Sequence, residues 1–133
     1  MLAQVERAGR QKNWIVFVGW EPHPMNTKYK MAYLSGGEKT FGPNYGSSDV
    51  YTVARKGFTE ECANLARLLK QTAFSVPMEN EIMASLEAGK KAEDAALAYL
   101  KANPATVDPW LQGVTTFDGK DGLAAVKAAL GVK

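Results

Sequence analysis

Residues 14–18 read Trp-Ile-Val-Phe-Val, five apolar residues without a break, and Gly19 ends the run. This is the pattern of a strand buried on both faces. It constrains the fold more than any other stretch, because such a strand needs neighbours beside it and layers above and below. Trp20 follows at once, and then Pro22 and Pro24 flank His23. A large aromatic therefore stands where a strand ends and a rigid turn begins.

The rest of the chain offers few neighbours for that strand. Residues 29–34 alternate, with Tyr29, Met31 and Tyr33 on one face and Lys30, Ala32 and Leu34 on the other, which predicts a strand. Residues 50–55 are rich in β-branched side chains and predict another. Between them, residues 35–49 hold four glycines and a proline and form a long loop.

Helical patterns take up most of the remainder. Leu2, Val5 and Ala8 have helical spacing, and Gly9 would close that short helix. Thr59 is placed to cap a helix with Glu60 and Glu61 in its first turn and Cys62, Leu65, Ala66 and Leu69 as its apolar stripe. Pro77 suits a first helical position, ahead of Ile82, Met83 and Leu86, with Gly89 behind. Ala92, Ala95, Ala96, Tyr99 and Leu100 make the next stripe, stopped by Asn103-Pro104. A short helical turn carries Val107 and Trp110. Asp121 caps a last helix with Leu123, Val126 and Leu130 inward, and Gly131 ends it. The expected class is α/β, a small mixed sheet flanked by helices. The strands lack the helical crossovers of a complete doubly wound domain, which leaves either a small three-stranded α/β domain or part of a larger sheet.

Bulk properties narrow the function. A length of 133 residues suits one domain. Sixteen basic residues against fourteen acidic ones give a net charge of +2, and they are dispersed, so neither nucleic acid nor a membrane surface is expected as a partner. No apolar run approaches the ~20 residues of a membrane span. One cysteine and one histidine cannot make a structural zinc site, which needs about four ligands. No metal or cofactor is expected.

Several local patterns invite chemistry. Gly36-Gly37-Glu38-Lys39-Thr40 resembles the end of a phosphate-binding loop, but the motif requires glycine where Tyr33 and Glu38 stand. His23 with Glu21 beside it could act as a general base, although no serine or cysteine is marked as its nucleophile, and a locally bonded turn histidine is the commoner case. Cys62 falls on an apolar stripe, the place of a structural thiol. Trp14 and Trp110 read as core. Trp20 is open between core packing, the usual fate of tryptophan, and a ligand platform, since ligands of open α/β sheets bind beyond strand ends. The residues leave open a ligand platform at Trp20, a hydrolase-like enzyme using His23 and Glu21, and an interaction domain displaying Trp20 and Tyr45.

Four stretches together resemble one family. They are I-V-F-V-G-W-E-P-H-P-M-N (15–26), F-G-P-N-Y-G (41–46), V-Y-T-V-A-R-K-G-F (50–58) and M-E-N-E-I-M (78–83). The chain is similar to the substrate-binding proteins of ABC transporters for glycine betaine, choline and related quaternary amines. The likeness runs along nearly the whole chain, and F-G-P-N-Y-G leans toward the choline-binding branch.

The resemblance implies the C-terminal part of a two-lobed type II periplasmic binding protein. Residues 1–27 would finish the second lobe and make the inter-lobe crossing, and 28–133 would complete the first lobe. An N-terminal half would lie outside this chain. It implies a binder and no enzyme, an extracytoplasmic location, a choline- or betaine-type ligand and an ABC permease as partner. Trp20 would be one wall of an aromatic box, with Glu21 and His23 shaping the hinge. Cys62 would be free or bridge two chains, and the exposed edges of a partial sheet would favour self-association.

Overall fold

A computed structural model describes residues 1–132. The elements in order are α1 (Leu2–Gln11), α2 (Met25–Lys28), α3 (Glu38–Phe41), α4 (Phe58–Glu61), α5 (Ala63–Gln71), α6 (Val76–Glu87), α7 (Ala92–Ala102), α8 (Val107–Trp110) and α9 (Gly122–Leu130). Short 3-10 turns occupy Asn44–Gly46 and Pro104–Thr106.

The core lies in the C-terminal helical body. Val107, Leu111, Val114 and Leu130 are buried together, with Leu68, Leu100, Trp110, Leu123 and Val126 packed around them. Helix α5 is stapled to the segment after α8. Asn64 donates from Nδ2 to the carbonyl of Thr115 at 2.7 Å and accepts from the Thr115 N–H at 2.9 Å. Gln71 Nε2 donates to the carbonyl of Trp110 at 2.8 Å, and Arg67 donates to that of Gly113. Phe74 meets Trp110 edge to face at 5.7 Å. Such bonds satisfy carbonyls in a loop that has no ladder of its own.

Helix ends follow local chemistry. Ser75 caps α6 by accepting from the Met78 N–H, and Pro77 stands one position later than the first helical residue. Asp121 Oδ1 accepts from the Ala124 N–H at 2.7 Å, and Gly131, in the left-handed region at φ 72°, ends α9. A Cβ on Gly122 would meet the Val114 carbonyl oxygen at 2.7 Å, so this position requires glycine.

Three helical expectations shift. Helix α1 runs past Gly9 and stops where Lys12 turns left-handed at φ 57°. Gly9 faces the Tyr29 ring instead, where an added Cβ would lie 3.6 Å from it. Gly57, not Thr59, begins α4, and Cys62 breaks the expected single helix into α4 and α5 with φ −125°. Cys62 is free and half-buried at that break rather than inside a stripe. Residues 38–41 form one helical turn within the expected loop.

The strands are the larger correction. Among the described residues no strand forms, and the small mixed sheet is absent; the β-type pairing is the isolated bridge Thr115–Asp121. Residues 14–18, 29–34 and 50–55 have no regular secondary structure. Trp14 is fully exposed instead of being core, and Val50 and Val53 are 96% and 90% exposed. The reason is that a strand bonds to a neighbour and not to itself, and an isolated pair of strands is marginal in water. The three segments do not pair with one another, so their apolar character finds no cover here.

Two outcomes follow. Asp121→Ala should lower stability by about 1 kcal/mol through loss of the α9 cap, with Asp121→Ser recovering most of it, as read by urea unfolding. The uncovered apolar segments should make the chain associate as concentration rises; a constant monomer mass by light scattering across that range would contradict it.

Candidate functional site

The turn at residues 19–26 joins the uncovered apolar run to the helical body. Its geometry starts with α2, a single turn packed on α6. Met25 is 2% exposed, and Pro24 is also buried. The turn is then closed by a set of hydrogen bonds. The His23 N–H donates to Asn80 Oδ1 on α6 at 2.7 Å. His23 Nδ1 accepts from the Met25 N–H at 3.1 Å. Asn26 Nδ2 donates to the carbonyls of Trp20 and His23, each at 3.0 Å. Thr27 Oγ1 donates to the Pro24 carbonyl at 2.9 Å.

This leaves the Trp20 ring displayed. It is 49% exposed and meets the His23 ring edge to face, with centroids 5.0 Å apart at 72°. Two more exposed aromatics lie next along the surface. The Tyr33 hydroxyl donates to Asn26 Oδ1 at 3.2 Å, so one asparagine ties Tyr33 to the Trp20 backbone. The Tyr33 and Tyr45 rings are 6.0 Å apart. Asn44 and Tyr45 both hold positive φ, 51° and 59°. Glu21 is exposed in the same turn. Partial burial, and then the Glu21 carboxylate, push the Tyr33 phenol above the ordinary tyrosine value.

An exposed tryptophan with a carboxylate beside it attracts cations, since the ring quadrupole presents a negative face. Proton-transfer chemistry finds less support. His23 Nδ1 is taken up by a backbone N–H, and neither Glu21 nor a hydroxyl or thiol bonds to the ring. His23 is thus the locally bonded turn histidine. Among the described residues no group of His, Cys, Asp and Glu could hold a metal, and no helix is long and apolar enough to cross a membrane.

Trp20, Glu21 and His23 therefore come together in one turn. Asn26, Tyr33 and Asn80 surround them and were not singled out by sequence reasoning. Asn80 had a readable signal. It precedes Met83 by three positions, so it places an amide on the apolar face of α6.

The family described as the substrate binding domain of ABC-type glycine betaine transport systems matches residues 1–102. The chain belongs to that family. A curated relative, the glycine betaine/carnitine transport binding protein GbuC of Listeria monocytogenes serotype 1/2a (strain 10403S), is 29% identical over 121 residues, 91% of this chain and 39% of the relative. A solved ABC-transporter choline binding protein in complex with choline is 58% identical with a TM-score of 0.74, covering 98% of this chain and 45% of that one. A second, described as unliganded and semi-closed, is 57% identical with a TM-score of 0.68, covering 98% and 46%. The chain thus shares the fold of these binding proteins and spans less than half of their length.

The Tyr33 hydroxyl should stay protonated above the pH at which an ordinary tyrosine ionises. Because its folded value is raised, the stability tied to it is present below about pH 10 and is lost as pH rises beyond that. Absorbance at 295 nm, compared with Tyr33→Phe, reads the titration directly. A Tyr33 transition at the ordinary value would refute the expected shift.

Proposed function

We propose that this chain supplies one part of the ligand-binding component of an ABC uptake system for choline or a related quaternary amine. Trp20 serves as one wall of an aromatic box. The displayed Trp20 ring carries this reading, standing in a turn braced from both sides in a family member 58% identical to a choline binding protein. A trimethylammonium group offers no hydrogen-bond donor and a diffuse charge, so an aromatic face is a suitable partner. Glu21 and His23 shape the turn at the hinge.

Magnitudes bear on what this chain does alone. A cation over one ring gains roughly 0.5–2 kcal/mol. Micromolar affinity needs about 8 kcal/mol. One wall falls well short, and other walls are required. We assign residues 1–27 to the end of one lobe and the crossing, and 28–133 to the other lobe. Lobe closure about the crossing would bury the ligand, and a membrane permease would receive the closed form outside the cytoplasm.

The test uses intrinsic tryptophan fluorescence in a polypeptide carrying both lobes, titrated with choline, glycine betaine and carnitine. Saturable quenching that disappears in Trp20→Ala is expected. Unchanged affinity in Trp20→Ala would remove Trp20 from the site. Calorimetry on the 133-residue chain alone should show only very weak binding; micromolar affinity there would overturn the need for a second lobe.

A further inference from the structure

We infer that Asn80 is a positioning residue for Trp20, acting from α6 through His23; this rests on the reading of Trp20 as a ligand wall. Asn80 is 6% exposed and is the one buried polar side chain among the described residues. Met78, two residues earlier, is 5% exposed, and the helix that carries both packs against α2 with its buried Met25. An apolar side chain of similar volume would suit that surface, because a buried amide is costly unless it is bonded. Its bond runs across 57 residues of sequence to the His23 N–H, at 2.7 Å.

The consequence falls on Trp20. Half of that residue is exposed, so packing alone does not hold the ring. Its ring neighbour is His23, at 5.0 Å. The His23 backbone is held by Asn80, and its imidazole is held by the Met25 N–H at 3.1 Å. Asn26 closes the turn from the other side through the Trp20 carbonyl. Asn80 thus ties the aromatic face to a long helix, and a loop that would otherwise sample many ring orientations keeps one. Holding the ring before the ligand arrives reduces the ordering cost of binding. Only the oxygen of Asn80 is used, so an aspartate can do the same work and a leucine cannot.

Two measurements on the 133-residue chain test this. The first is hydrogen exchange at the His23 amide. The second is the fluorine resonance of Trp20 in protein labelled with 5-fluorotryptophan, assigned by single replacement of each of the three tryptophans. Asn80→Leu should speed His23 exchange on the order of tenfold and broaden or shift the Trp20 resonance while leaving that of Trp110 in place. Asn80→Asp should keep both near the parent. An unchanged Trp20 resonance in Asn80→Leu overturns the inference. If Asn80→Leu loses helical circular dichroism, Asn80→Ala is read in the same way, and unfolding of both makes Asn80 a stability residue and also overturns it. Choline titration of the two-lobed polypeptide separates the two readings. Affinity insensitive to Trp20→Ala, with Trp20 still released by Asn80→Leu, sinks the ligand reading and leaves the positioning role standing.

Discussion

A helix satisfies its backbone hydrogen bonds from its own sequence, whereas a strand must borrow partners from elsewhere. That asymmetry divides this molecule. From Phe58 onward the chain closes its own bonds, buries Val107, Leu111, Val114 and Leu130, and staples its loops with Asn64, Arg67 and Gln71. Before that point, three apolar or β-branched segments meet no ladder and stand largely uncovered. Solved relatives more than twice as long share this fold.

The turn at residues 19–26 sits on the boundary between these two regimes. It is the point where a segment without partners is fastened to a body that has them. Burial of Met25 supplies the apolar attachment, and Asn80 and Asn26 supply direction. Hydrophobic contact is non-directional, so it can dock the turn but cannot aim a ring. Hydrogen bonds between fixed groups can, and those observed run to the backbone of Trp20 and of His23.

The helices were legible to within a few residues because capping and periodicity are local. Asp121 and Gly131 bound α9 as the spacing predicts, and Asn103-Pro104 ends α7. Thr59 misled because Gly57, two residues earlier, turned the chain into α4. Gly9 misled because the helix continues to Gln11 and closes only where Lys12 turns left-handed. The expected strands failed for a different reason. Pattern reports what a segment would bury, but it does not say whether a partner is within reach.

At the site, Trp20 was visible in the sequence as an aromatic held between a glycine and two prolines, and the family likeness of G-W-E-P-H-P-M was also visible there. The sequence by itself determined the family and the helix ends set by local caps such as Asp121 and Gly131, since these depend on residues close together along the chain. Only the tertiary structure decided that Asn80 bonds to the N–H of His23, whose ring meets that of Trp20, that Tyr33 joins the turn through Asn26, and that Trp14 lies in solvent. Those facts depend on groups brought together across the fold, or on groups that find no neighbour at all, and neither is written in local order.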